Sequence, residues 1–174
     1  MRITVVQGDI TVQDVGAVVN AANSTLMGGG GVDAAIHQAA GPELLEHCQQ
    51  LRETSWPEGL PSGETAITPA GELPARYVIH TVGPNRHAGQ TDPAVLEACF
   101  RNSLSLAAEY GLDSVAFPAI GAGVYGWDAG DVARSAARVL EEDQEYQGLK
   151  EVRFVLFDAK TAEIFQNVVG GLQP

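Results

Sequence analysis

Residues 20–32 read NAANSTLMGGGGV, and Asp33 and His37 follow directly. Four consecutive glycines, Gly28 to Gly31, end a loop where a helical apolar period begins. Glycine carries no Cβ, so the main chain there can approach a ligand closely. Unpaired N–H groups at a helix N-terminus, together with the helix dipole, attract anions. The stretch therefore predicts a strand, a glycine loop and a helix, the unit from which α/β sheets are built. On its own the glycine block admits two readings: a backbone cradle for an anion, or plain punctuation between elements.

Two familiar phosphate motifs are excluded. A triphosphatase loop needs Lys and Ser/Thr after its second glycine, whereas Val32 and Asp33 follow Gly31, and the only lysines are Lys150 and Lys160. Nor does a block of four glycines fit the G-x-G-x-x-G dinucleotide pattern. At 174 residues the chain fits one domain, residues 1–174, with 45% hydrophobic and 18% charged residues, an ordinary globular balance. A net charge of −12 argues against nucleic-acid binding, which depends on Lys and Arg neutralising phosphates. An anionic ligand would have to be held by backbone dipoles instead.

Cys48 and Cys99 lie in apolar-periodic segments without a C-x-x-C spacing, so buried, reduced thiols are expected in a cytoplasmic protein. The start, MRITVVQGDI, reads as a strand without a signal-peptide core. No apolar run approaches a membrane span. The spacing of Cys and His fits no zinc pattern, and no metal is expected. The surface helices carry no partner stripe, and a monomer is expected.

Along the chain, strands are predicted at residues 3–6, 17–19, 65–68, 77–82, 114–117 and 152–157. Helices are predicted at 32–40, 42–51, 93–109, 128–142 and 161–169, with Pro42 in a first turn and Asp128 as an N-cap. The alternation predicts a three-layer α/β/α fold: a mixed, mostly parallel central sheet flanked by helices. Ligands of such sheets bind outside the carboxyl ends of the strands. A second loop there, FPAIGAGVYGWD at 117–128, repeats the strand, glycine-rich turn and helix start of the first. Two such loops, each between a strand and a helix, point to a clamp for a bridging pyrophosphate; the plainer alternative is two tight turns.

These residues resemble the macrodomain family of ADP-ribose-binding proteins. The resemblance runs from GDIT at 8–11 through NAANSTLMGGGGVDAAIHQAAGP at 20–42, LPARYVIHTVGP at 73–84 and FPAIGAGVYGW at 117–127 to VLFDAKTAEIF at 155–165. Within the family, the chain is similar to the hydrolase branch typified by MacroD proteins. The resemblance implies that Asp9 and Ile10 meet the adenine, with Asp9 bonding its amino group, and that Phe157 stacks on the ring. From its own surroundings Phe157 reads equally as a core strand residue. The resemblance further implies that Gly30, Gly31 and Val32 form the first pyrophosphate loop. Gly121, Ala122, Gly123, Val124 and Tyr125 form the second. Where family members often carry Ser-Thr-Gly, this chain has Gly121-Ala122-Gly123, so hydroxyl donors are lost and backbone donors remain.

Asn23 and Asp33 match the polar pair at the distal ribose, and Asp33 is catalytic in this branch. Asp33 falls in a first helical turn, where the dipole favours a carboxylate. His37, four residues on, shares its helix face. The pair can handle protons, or it can be a capping Asp with a packing His. With Asn23 these form the expected catalytic set. His80, within the strand YVIHTVG, reads as structural; His47 and His87 show no motif.

The implied activity is release of mono-ADP-ribose from modified Asp or Glu side chains of proteins, together with deacetylation of O-acetyl-ADP-ribose. ADP-ribosylated proteins and O-acetyl-ADP-ribose are then the partners, and no cofactor is needed. The competing readings are a non-catalytic ADP-ribose reader and a phosphatase of ADP-ribose 1″-phosphate. Removal of ADP-ribose from DNA bases is less well matched, since relatives of that kind use a lysine and none precedes Lys150.

Overall fold

A computed structural model describes all 174 residues. The first half contains β1 (Arg2–Gln7), β2 (Ala17–Ala22), α1 (Gly31–Ala40), α2 (Pro42–Glu53), β3 (Thr65–Pro69) and β4 (Tyr77–Val82). The second half adds α3 (Pro93–Glu109), β5 (Ser114–Phe117), α4 (Ala129–Leu140), β6 (Glu151–Leu156) and α5 (Ala159–Val169). The strands form one sheet in the order β1-β6-β5-β2-β4-β3. Every pairing is parallel except β3 with β4 at one edge.

Successive strand residues point to opposite faces, and the burial follows that period. Ala17 and Val19 of β2, Ile79 of β4 and Phe154 of β6 join one core with α3, α4 and α5. The rings of Phe117, Phe154 and Phe165 run through it with centroids 5.4–5.8 Å apart. Val18 and Ala22 of β2, Val78 and Val82 of β4 and Val155 of β6 join the other, with α1 and α2. The expected three-layer architecture is therefore present, with the sheet as its middle layer. Both cysteines are buried free thiols, and burial pushes Cys48 up to about 12 and Cys99 up to about 11.

Three local expectations are corrected. β2 continues through Asn20 to Ala22, because its parallel pairing with β4 runs from Ala17↔Tyr77 to Ala22↔Val82. Asn20 is thus a buried strand residue, not the start of the loop. β6 ends at Leu156, so Phe157 leaves the sheet and is 88% exposed. Asp128 occupies the N-cap position of α4, but its side chain makes no cap hydrogen bond. Asp158 does cap α5, accepting from the Thr161 N–H at 2.8 Å. No helix is long and apolar enough to cross a membrane.

Candidate functional site

A cleft of about 620 Å³ opens over the carboxyl ends of β2, β5 and β6. The loop 23–31 lines one side through Asn23 and Gly29–Gly31, and most of residues 118–128 line the other. Of the expected site residues, it brings together Asn23, Gly30, Gly31, Val32, Asp33, all of 121–125, and Phe157.

The first wall is rigid for reasons written in its side chains. The Asn23 Oδ1 accepts from the Thr25 N–H at 3.0 Å and from the Thr25 hydroxyl. Its Nδ2 donates to the Gly28 carbonyl at 2.9 Å, leaving one N–H for the cleft. Arg52 of α2 reaches across to donate to the carbonyls of Thr25 and Trp56, at 2.8 and 3.0 Å. Leu26 is buried with φ +61, a left-handed conformation costing about 1–2 kcal/mol for a residue with a side chain. The wall ends at Gly31, whose φ of +60 turns the chain into α1. Gly30 caps that helix without a side-chain bond, and the N–H groups of Gly31, Val32 and Asp33 have no acceptor within the protein.

The second wall offers a matching set. The N–H groups of Gly123, Val124 and Tyr125 donate to nothing within the protein, whereas that of Ala122 is committed to the Ala119 carbonyl at 3.1 Å. This wall is propped from behind by a segment some 40 residues earlier in the chain. The Arg86 N–H donates to the Tyr125 carbonyl at 2.9 Å, and its guanidinium lies 4.9 Å above the Trp127 ring. The Trp127 indole donates to the Pro84 carbonyl at 2.8 Å. A Cβ on Gly126, whose φ is +80, would lie 2.9 Å from the His87 ring nitrogen.

Between the walls stands Asp33, 3% exposed. Its Oδ1 accepts from the Asn20 Nδ2 at 2.8 Å and lies 3.4 Å from the His37 Nε2. Its Oδ2 makes no hydrogen bond within the protein. A Cβ at Gly29 would lie 3.0 Å from the Asn23 Nδ2 and 3.1 Å from the Asp33 Oδ2, so both polar atoms face the same point of the cleft. His37 does not line the cleft; the structure puts it behind Asp33. Asp9 and Ile10 do not line it either. Asp9 follows β1, next to the strand that delivers Phe157, and its Oδ1 accepts from the Thr11 N–H and hydroxyl at 2.9 and 2.7 Å. Ile10 is buried against α1 and β2.

Cleft carboxylates come from Asp33, Asp128 and Asp158, and no Lys or Arg lines it. Any anion bound here is held by main-chain N–H groups and helix N-termini. No group of three His, Cys, Asp or Glu side chains is placed to hold a metal ion. Sequence reasoning missed Asn20, His80, Arg52, Arg86 and His87. The first two carry no local signal: only the parallel register of β2 with β4 brings Asn20 and His80 side by side.

The model of the Macro domain family matches residues 19–136. A macro domain-containing protein of Streptomyces griseus is 51% identical over 168 residues, 96% of this chain and 94% of that one. A protein of Cronobacter sakazakii named O-acetyl-ADP-ribose deacetylase is 47% identical over 171 residues, covering 97% of this chain and 94% of its own length. Among solved structures, the Oceanobacillus iheyensis macrodomain with ADP superposes with a TM-score of 0.88 at 41% identity, over 94% of this chain and 87% of that chain.

Proposed function

Because this chain belongs to the Macro domain family, we propose that it binds ADP-ribose in the cleft and hydrolyses acyl esters of its distal ribose. Substrates are O-acetyl-ADP-ribose and proteins carrying mono-ADP-ribose on Asp or Glu. The observation that carries the reading is the Asp33 carboxylate, with one oxygen tied to Asn20 and the other aimed at the cleft beside Asn23.

The geometry supports a division of labour. Backbone N–H groups of Gly31–Asp33 on one wall and Gly123–Tyr125 on the other suit the two phosphates, which fixes the ligand lengthwise. Phe157 offers an exposed ring for adenine, with Asp9 at the neighbouring strand end. The distal ribose then falls at Asn23, whose remaining amide N–H can donate to a ribose hydroxyl. The Asp33 Oδ2 accepts a proton from a water as that water attacks. For a protein ester, the C1″–O bond breaks and the Asp or Glu carboxylate leaves. For O-acetyl-ADP-ribose, the water attacks the acetyl carbonyl carbon, the acyl C–O bond breaks, the ribose oxygen takes the proton back from Asp33, and acetate is released. At C1″ a carboxylate leaves readily, so positioning plus one base suffices there. His37 holds Asp33 from behind and does not touch the substrate.

The test measures release of ADP-ribose from a glutamate-modified protein and of acetate from O-acetyl-ADP-ribose, by wild type and by Asp33→Ala. ADP-ribose affinity is measured on both proteins by calorimetry. Release by wild type, lost in the variant with binding kept, supports the reading. Tight binding without release by wild type refutes it and leaves a reader module.

A further inference from the structure

Behind Asp33 lies a row of polar side chains on the sheet face that packs against α1 and α2, in an otherwise apolar core. Asn20 of β2, His80 of β4 and Thr68 of β3 are 0%, 0% and 3% exposed. Asn20 and His80 are directly paired across β2 and β4. Burying three polar groups is costly unless each is hydrogen-bonded, and here the bonds run in one direction. The Asn20 Nδ2 lies 2.8 Å from the Asp33 Oδ1 and 3.2 Å from the His80 Nδ1. The His80 Nε2 lies 3.0 Å from the Thr68 hydroxyl and 3.8 Å from the Cys48 sulfur. The Asn20 Oδ1 has no partner.

The hydrogen assignment follows from the network. Beside a carboxylate oxygen, the Asn20 amide must present N–H rather than C=O. Its second N–H then meets the His80 Nδ1, which must accept. His80 therefore carries its proton on Nε2 and donates it to Thr68. Burial foremost holds His80 down to about 4, so the ring is neutral across the ordinary pH range. Reversing the amide would set its carbonyl oxygen 2.8 Å from the Asp33 carboxylate oxygen with no proton between them, and its N–H groups would point where the orphaned Oδ1 now sits, so a bond to an Nδ1–H tautomer of His80 would come only at the expense of the Asp33 contact.

We propose that His80 is a positioning residue for the hydrolysis: by accepting from Asn20 it fixes the amide that grips the Asp33 Oδ1, which keeps Oδ2 turned to the cleft. The proposal rests on the hydrolase reading above. Thr68 closes the row by holding the Nε2–H tautomer. The strand residue that looked merely structural thus sets the aim of the catalytic carboxylate without touching substrate.

The first measurement is a long-range proton–nitrogen NMR spectrum at neutral pH, with His80 assigned by its absence in His80→Asn. A single Nε2–H tautomer is expected; an Nδ1–H or averaged ring overturns the row. The second compares kcat and calorimetric ADP-ribose Kd. His80→Leu removes the acceptor and is expected to lower kcat at least tenfold with Kd within twofold. His80→Asn returns an acceptor near the Nδ1 position and is expected to recover kcat to within threefold of wild type. Unchanged kcat in His80→Leu, or Kd weakened in parallel in both variants, overturns the proposal. If His80→Leu fails to fold, Thr68→Val serves: partial appearance of the Nδ1–H tautomer with kcat lowered at least threefold supports the row, and no change in either overturns it. A wild type that binds ADP-ribose but releases neither product refutes the hydrolase reading itself, and the tautomer still judges the row separately.

Discussion

Gly29→Ala separates chemistry from binding within a single loop. The added Cβ would lie 3.0 Å from the Asn23 Nδ2 and 3.1 Å from the Asp33 Oδ2. Comfortable carbon contacts begin about 0.4 Å farther out. Neither polar atom is the loose end of a flexible chain: the Asn23 Nδ2 is held to the Gly28 carbonyl at 2.9 Å, and Asp33 is held through Oδ1 by Asn20 at 2.8 Å. Both must therefore shift by about 0.3–0.4 Å, and since a misplacement of about 1 Å costs about 10²-fold, kcat should fall about fivefold. Stability should hardly change, because φ at Gly29 is not left-handed and alanine narrows the unfolded ensemble by about 0.4–1 kcal/mol. The contrast is Gly31→Ala. There a Cβ meets nothing, but φ is +60, so the expected cost of about 1–2 kcal/mol appears in thermal stability and ADP-ribose affinity. The assay is kcat for acetate release, ADP-ribose Kd by calorimetry and thermal melting on both variants. A Gly29→Ala enzyme with kcat within twofold of wild type would refute the reasoning, since Asn23 and Asp33 would then tolerate displacement without loss.

Other expectations concern binding and pH. With three carboxylates and no Lys or Arg lining the cleft, and a net charge of −12, ADP-ribose should bind more tightly as salt rises. From about 0.01 M to about 0.15 M, where the Debye length shrinks from about 30 to about 8 Å, calorimetry should find Kd several-fold lower, and affinity that weakens with salt would contradict backbone-only anion binding. Phe157→Ala should weaken ADP-ribose about tenfold, since stacking on a base is worth about 1–3 kcal/mol, while stability stays within about 0.5 kcal/mol because the ring is 88% exposed. An unchanged Kd would remove Phe157 from the adenine site. Finally, His80 titrates at about 4 when folded, against about 6.5 when unfolded. The unfolded chain therefore takes up this proton first, so the stabilisation is complete above pH 6.5 and is lost as pH falls to 4, by about 3 kcal/mol. Denaturant titrations should find a shallower loss in His80→Asn across that window, and parallel slopes would rule the effect out.

The layer order, the parallel sheet and both glycine walls were legible because each rests on local pattern: strand period, turn residues and helix starts. Asp33 was legible too, as a first-turn carboxylate after a glycine block. Asn20 was not, because NAAN has the composition of a turn. Only the ladder with Tyr77–Val82, set by a strand more than 50 residues away, extends β2 through it. Phe157 continues an apolar run, VRFVLF, whose end the eye cannot place. The capping Asp158 that follows was the available clue that the strand stops one residue sooner. The props behind the second wall, Arg86 and His87, act across about 40 residues of chain, a distance at which single-sequence pattern carries no information.

The sheet separates two apolar cores, and the cleft draws one wall from each side: α1 belongs with one core, α4 and α5 with the other. Opening of either layer removes half of the ligand's donors. A bound ligand therefore joins two cooperative units that the sheet otherwise keeps apart, and it suppresses the opening of whichever is weaker. In amide exchange, the free protein should lose protection at different rates in α1 and α4, and saturation should bring the two helices to a common, slower rate.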